Sequence, residues 1–513
     1  MSETNGIQVR DSQVLSGPVL FFAALILAIA NFTAMVNMTI VNVALPTIAG
    51  NIGISSTQGT WIITFYAVAE AISVPLTGWL SMRFGPNRVF TSSMFIFGIA
   101  SLLCGLSTSL IMLVLARVLQ GFSGGLLMPL SQTLLLRVFP KHRAATANAI
   151  WAVTSLVAPV VGPILGGFLC DNYSWSWAFY MNVPITCFGS LIVGRLLWNH
   201  DSSFVKSRID SVGLVLLIVW VTCLQIVLDE GKNLDWFASK AICALTVVVI
   251  LGFISFVIWE LTEENPIVDL RVFRHRGYSA ALFSLVVTFG AYFGIMVVIP
   301  LWLQMNMGYT ATMAGKTVAW MGVLAVCSAP IVAKLTMTVD SRKLVFFGIS
   351  WIGLITLWLT LGSNDITYWD VALPFLVVGT GLSSYLVPVN GLTLSCVDDN
   401  ELDLAAGLGN FARTLSGAFA TSLTITGWEH YTKYFRAELS VVSDTTAGIG
   451  AMVEKGLPKE LARGIMDQLI ESQSMLLAKN RVLLVLACII FFAALSIWIA
   501  PKPTRPIDSS RIH

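Results

Sequence analysis

Pro75-Leu76-Thr77-Gly78-Trp79-Leu80-Ser81-Met82 and Pro330-Ile331-Val332-Ala333-Lys334-Leu335-Thr336-Met337 lay over one another residue for residue, and each is followed by a short basic turn. A second match pairs Gln120-Gly121 and the later Pro129 with Val378-Gly379 and the later Pro388, at nearly the same offset. A chain that repeats itself in this way is built from two halves. Where such repeated halves cross a membrane, they imply a site at the midplane between them, exposed alternately to either side as one half rocks against the other.

That the halves lie in a membrane follows from composition. Hydrophobic residues make up 56% of the 513 and charged residues 11%, with a mean hydropathy of +0.80, outside the range of soluble domains. Apolar runs long enough to cross about 30 Å of hydrocarbon as a helix fall at 18–46, 60–82, 89–109, 110–136, 145–170 and 178–199, then 211–229 and 239–261, then 278–303, 312–336, 344–363, 368–395, 405–428 and 481–500. The expectation is an all-α, polytopic protein of about 14 transmembrane helices arranged six, two, six. Its parts are a tail 1–17, an N-terminal half 18–200, a two-helix insertion 201–265, a C-terminal half 266–500 and a tail 501–513. The apolar run after the polar start is too long for a cleaved leader, so the first span is expected to stay.

Alternate short loops carry Arg83 and Arg88, Arg137 with Lys141 and Arg143, Lys206 with Arg208, Arg271 to Arg276, and Arg342 with Lys343. Such loops stay on the cytoplasmic side, which puts both termini there. The net charge of +2 is scattered over these loops and leaves no footprint for nucleic acid. The eight cysteines lie in or beside apolar runs without C-x-x-C spacing, as small packing residues do.

Motifs sharpen the reading. Asn42-Val43-Ala44-Leu45-Pro46-Thr47-Ile48 closes the first span, Gly59-Thr60-Trp61-Ile62-Ile63-Thr64 opens the second, and Gly78-Trp79-Leu80 precedes Arg83-Phe84-Gly85. Arg117-Val118-Leu119-Gln120-Gly121 stands in the fourth span, Gly162-Pro163-Ile164-Leu165-Gly166-Gly167 in the fifth and Asn182-Val183-Pro184 in the sixth. From about residue 20 to 500 the chain resembles the major facilitator superfamily and, within it, the fourteen-span drug:proton antiporters of the EmrB type. The resemblance implies efflux of small hydrophobic or amphipathic drugs across a bacterial inner membrane, driven by the proton gradient without a cofactor. It implies work alongside a periplasmic adaptor (EmrA-like) and an outer-membrane channel (TolC-like). It also makes Gly162, Pro163, Gly166 and Gly167 the antiporter hinge, with Gly78, Arg83 and Gly85 at the loop gate. Gly and Pro permit such bends where neighbouring helices satisfy the freed backbone groups.

Charges inside spans are costly, by about 2.5–3.5 kcal/mol on insertion scales, so each is a functional candidate. Glu70, mid-span among Tyr66, Ala67, Ala71 and Val74, is the candidate proton carrier, and Arg117 the cation that biases it. The chain departs from EmrB-like sequences in having Asn37 where the first span usually carries an acid and Glu70 where Asn is common, as though two helices had exchanged side chains. Met82 replaces the usual gate Asp, and Lys316 stands where an apolar residue is usual. Asn37, Trp61, Phe65, Tyr66, Trp151, Tyr292, Phe293, Trp320, Tyr385, Asn390, Asn410 and Arg413 are expected to line a large amphipathic cavity.

Other classes fit less well. Ala314-Gly315-Lys316-Thr317 imitates a phosphate loop but has Thr310 where Gly is required. HExxH does not appear, and no enzyme is expected. A proton-coupled importer or exporter of one metabolite shares the fold and stays open. Finally, residues 429–480 are expected to form a periplasmic helical hairpin, with Leu461, Ile465, Leu469 and Leu476 as its apolar stripe against Tyr431, Phe435 and Leu439.

Overall fold

A computed structural model describes residues 17–54, 56–140, 143–197, 210–231, 234–264, 266–364, 367–398, 401–442 and 445–500. Both tails, and the basic residues Lys141, Lys206 and Arg208, lie outside the described residues. Among the described residues the elements are all helices: α1 (Gly17–Ile52), α2 (Ser56–Phe84), α3 (Pro86–Gly105), α4 (Leu110–Val138), α5 (Ala144–Asn172), α6 (Trp177–Tyr180), α7 (Asn182–Leu197), α8 (Ser211–Glu230) and α9 (Lys240–Thr262). After them come α10 (Arg276–Met305), α11 (Ala311–Leu335), α12 (Ser341–Leu359), α13 (Tyr368–Ser395), α14 (Leu402–Val442), α15 (Thr445–Glu454) and α16 (Lys459–Ser496).

Among the described residues twelve spans are long and apolar enough to cross a membrane, one of them, Trp177–Leu196, running through α6 and α7 together. That set leaves out α5 and α14, of 29 and 41 residues, both easily long enough at 1.5 Å per residue. α14 carries Asn410, Arg413, Ser416 and Ser422 within its length, which is why hydropathy alone undervalues it. The expected sixth span is divided: α6 ends at Tyr180 and α7 starts at Asn182. Pro184 falls in the first turn of α7, where its missing N–H leaves no helical hydrogen bond unmade.

The packing repeats. α1 lies on α5, α2 on α4, α3 on both α4 and α7; equivalently α10 lies on α14, α11 on α13, α12 on both α13 and α16. The two seams are equivalent as well, α5 against α11 and α14 against α2. The symmetry extends to single atoms. A Cβ on Gly121 of α4 would collide with the carbonyl oxygen of Tyr66, and one on Gly379 of α13 with that of Met321. Tyr66 and Met321 stand at the same distance in sequence before the repeated prolines Pro75 and Pro330. With no hydrophobic force to draw helices together in lipid, such close backbone approach supplies the van der Waals contact that does. α8 and α9 pair with each other, and α8 also touches α2 and α14. Thr64 donates to Asp229 (2.6 Å) and Ser422 to the Leu228 carbonyl (2.8 Å), tying α8 to both.

α14 and α16 continue past their apolar portions and pack together, with α15 on α16. Trp428 Nε1 donates to the Met475 carbonyl (3.2 Å), and Arg436 pairs with Glu471 (2.9 Å). The expected apolar stripe needs correcting in part: Leu476 is buried and Ile465 half-buried, but Leu461 and Leu469 are exposed, and Ala462 and Ser474 are buried beside the stripe.

Overpacking a tight helix contact costs about 1–3 kcal/mol. Gly121→Ala is therefore expected to lower the melting temperature of the protein in detergent. Gly464→Ala, whose Cβ would meet nothing within 4 Å, should not. Size-exclusion chromatography after graded heating measures both; equal melting of the two variants would contradict the close α2/α4 contact.

Candidate functional site

One face of α2 carries Tyr66, Glu70 and Ser73, a spacing of four and three that stacks them along the helix. α4 meets that face with Gly121, Gly124 and Gly125. A Cβ on Gly124 would stand 3.0 Å from the Tyr66 hydroxyl oxygen, and one on Gly125 2.6 Å from the Glu70 carbonyl oxygen. These glycines let α2 lie against α4 closely enough to seal Glu70 from solvent (0% exposed). Among the described residues neither carboxylate oxygen of Glu70 has a hydrogen-bond partner. The charges that act on it are those of Arg117 and Arg413.

Arg117, four residues before Gly121, is fully buried too. Its Nε donates to the Ile62 carbonyl (3.0 Å) and its Nη1 to Gln120 Oε1 (2.8 Å). Its guanidinium lies 3.9 Å from the Tyr66 ring centroid. Gln120 is fixed in turn, its Nε2 donating to Ser101 Oγ (2.8 Å). Nη2 finds no acceptor among the described residues. One donor of the arginine and both oxygens of the acid are thus left unmatched in the same buried region, where each costs free energy until it is paired.

Arg413 approaches from α14. Its Nη2 donates to Asn410 Oδ1 (2.7 Å), and its guanidinium lies over the rings of Trp151 (4.7 Å) and Phe289 (5.4 Å). Asn410 Nδ2 donates to Gln132 Oε1 of α4 (3.1 Å), a buried hydrogen bond between the halves. Tyr385 donates to the Leu285 carbonyl (2.6 Å) and feels the Arg413 charge. Asn390 donates to the Leu386 carbonyl (2.8 Å) of its own helix and, with Gln132, Asn410 and Arg413, lines a cavity of about 20 Å³. The space these four residues line is small, enough for about one water.

The remaining candidates divide. Asn37 is buried and accepts from Asn182 Nδ2 (3.4 Å). Tyr292 is buried, its hydroxyl 2.8 Å from Met321 Sδ. Trp61 and Phe65 are exposed, as are Lys316 and Met82, and Phe293 is half-buried. Trp320 donates to the Tyr368 hydroxyl (3.0 Å) and stacks near Trp369 at the far end of the bundle. Gly162 and Gly166 press on Thr39 and Ile40 of α1, while a Cβ on Gly167 would stand 2.8 Å from Thr312 Oγ1 of α11. The side chain of Pro163 lies outside the described residues. Gly78 faces Leu404 of α14, Gly85 has φ of 88°, which favours glycine, and Arg83 stacks on Trp79 at 5.3 Å. Sequence reasoning missed Gln132 and the supporting role of Gln120 and Ser101; uncharged polar residues in the middle of α3 and α4 were the available signal. At the basic-loop end, Glu401 holds Arg274 (2.8 Å) and His275 (3.1 Å), with Asp398 close by.

The internal repeat shows what belongs to one half only. The second-half positions equivalent to Glu70, Arg117 and Gln120 are Ala325, Phe375 and Val378. The polar cluster is therefore no requirement of the packing, which the C-terminal half achieves without it.

Comparison with known proteins follows the same lines. The model of the Major Facilitator Superfamily matches residues 27–421. The chain is 38% identical over 501 residues to "Multidrug export protein EmrB" of Escherichia coli (strain K12), covering 96% of this chain and 98% of that one. It is 36% identical over 499 residues to "Fatty acid resistance protein FarB" of Neisseria gonorrhoeae, with the same coverage of 96% and 98%. Among solved structures, the human organic anion transporter MFSD10 superposes with a TM-score of 0.59 at 11% identity, over 94% of this chain and 100% of that one. At that identity the likeness is one of fold.

Arg117→Lys keeps the charge but loses the fork that reaches Ile62, Gln120 and the Tyr66 face together. Losing one charge-assisted hydrogen bond of about 1.5–3 kcal/mol corresponds to about tenfold or more in an equilibrium. Transport by Arg117→Lys should fall by that order at unchanged expression, measured as drug efflux from loaded cells. Wild-type efflux would show that a point charge suffices.

Proposed function

Since the chain belongs to the Major Facilitator Superfamily, we propose that it exports hydrophobic or amphipathic drugs across the bacterial inner membrane in exchange for protons. The observation that carries this reading is Glu70, fully buried within reach of the charges of Arg117 and Arg413, with neither oxygen hydrogen-bonded among the described residues. A carboxyl group so placed is stable in two ways: neutral with a proton on one oxygen, or charged and paired with a guanidinium. Exchange between the two, each linked to exposure on one side of the membrane, is antiport. The proton enters from the periplasm onto Glu70. It leaves to the cytoplasm when Arg117 or Arg413 closes on the carboxylate, and cargo occupies the site in the opposite phase.

Alternating access requires the halves to part at each end in turn. Contacts that must open are small: Gly78 against Leu404 and Gly407 against Val74 at the basic-loop end, Gly167 against Thr312 and Gly315 against Ile164 at the other. The buried Asn410–Gln132 bond is the polar link that must break with them; such bonds in membranes are worth about 0.6 kcal/mol on average, little enough to be cycled. With the basic loops cytoplasmic, α14, α15 and α16 extend into the periplasm. Their exposed Leu461 and Leu469 then offer an apolar surface to an adaptor of the EmrA kind, which passes cargo to a TolC-like channel. The names of the relatives, one for multidrug export and one for fatty acid resistance, support cargo of this class.

A proton crossing 100 mV supplies about 2.3 kcal/mol, so efflux should stop when an uncoupler collapses the gradient. In a deletion strain, Glu70→Gln should insert at wild-type levels yet give at least tenfold less drug resistance than wild type. Undiminished resistance, or efflux that persists in de-energised vesicles given ATP, would overturn the proposal.

A further inference from the structure

A cavity lies away from the Glu70 cluster, where α10, α12, α13 and α16 meet at the end of the bundle opposite Arg342. It encloses about 310 Å³, at the lower limit of volumes that hold small ligands. At its wall is Lys479 of α16, 1% exposed. Lysines near the ends of membrane helices ordinarily extend their ammonium to water, and this one does not. Its Nζ lies 4.2 Å from the ring centroid of Trp302 and 3.4 Å from the Leu359 carbonyl oxygen, one long hydrogen bond for a group with three donors.

A second donor lines the same cavity. Trp302 is 1% exposed, and its indole Nε1 has no acceptor among the described residues. The lining acid, Asp370, is exposed at the rim and already accepts from Thr367 N (2.7 Å) and Oγ1 (2.8 Å) as the cap of α13. The cavity is therefore lined by a buried cation and an N–H donor without an acceptor among the described residues, while its one lining carboxylate stands at the rim with Oδ2 engaged by Thr367. An unpaired charge in such a place is costly, and an anion with lone pairs satisfies both donors at once. Around the mouth, Trp358, Leu361, Trp369 and Leu373 are exposed. They form an apolar margin at the level where tryptophans mark the membrane interface.

We propose that this cavity binds the anionic head group of an acyl-chain amphiphile, with Lys479 as its counter-ion, Trp302 Nε1 as its hydrogen-bond donor and the chain running out over Trp358 and Leu373 into the bilayer. The site is separate from the transport path and stands whether or not Glu70 carries the proton. A carboxylate of a free fatty acid and the phosphodiester of an anionic phospholipid share the required chemistry.

Native mass spectrometry of the full-length protein, released from dodecyl maltoside, tests it with three probes: palmitate, phosphatidylglycerol and hexadecanol. Lys479→Gln should weaken binding of at least one anionic probe tenfold or more and leave hexadecanol unchanged; Lys479→Arg should retain binding. Loss confined to phosphatidylglycerol assigns the site to membrane lipid, and loss confined to palmitate assigns it to free acyl carboxylates. Anionic binding undiminished in Lys479→Gln, or lost equally for hexadecanol, overturns the proposal. Should Lys479→Gln fail to fold, Trp302→Phe keeps the ring and removes the donor. It is expected to weaken the anionic probes severalfold, and unchanged binding there overturns the proposal equally.

Discussion

The approach of α2 to α4 over Gly121, Gly124 and Gly125 governs the rest of the molecule. In hydrocarbon no hydrophobic force draws helices together, so adhesion comes from backbone contact that only small residues permit. The same contact seals the polar side chains of that face from solvent. Glu70 is buried because α4 has no side chain at 121, 124 and 125 to hold the helices apart. Arg117 is buried one turn before Gly121, where its guanidinium finds the Ile62 carbonyl and the Tyr66 ring. Helix adhesion and the placement of charge are one structural event.

The C-terminal half isolates what that event is for. It makes the same contact, Gly379 against Met321, with Ala325, Phe375 and Val378 in the positions of the acid, the arginine and the glutamine. Two halves with one packing scheme and different polar content place the acid and Arg117 on α2 and α4 of one half, while Arg413 and Asn410 approach from α14 of the other. The hydrogen bond from Asn410 to Gln132 then links the two contributions across the seam.

Much of this was legible in the sequence. Apolar run lengths and the Pro75/Pro330 repeat contain the helix pairing, because each reflects a requirement of the bilayer that acts locally. Glu70 and Arg117 stood out because charge in an apolar run is improbable without a use. What the sequence concealed depends on rotation and distance. Leu461 and Leu469 share a stripe with the buried Leu476, yet both are exposed where the helix runs clear of its neighbours. Trp61 and Phe65 share a helix with Tyr66 and stay exposed while it is buried. The size of the cavity depends on how far apart the halves stand, which no local pattern encodes. Lys479 lies just before the last apolar run and reads as an ordinary flanking charge until α10 and α12 close over it.

The central claim is that Glu70 couples proton movement to cargo movement and has no other part in transport. Proteoliposomes reconstituted with wild type and with Glu70→Gln separate the two: cargo exchange at equilibrium needs no net proton movement, whereas accumulation against a gradient does. The account predicts that Glu70→Gln retains cargo exchange and loses accumulation driven by a pH gradient; accumulation at the wild-type rate and level would contradict it.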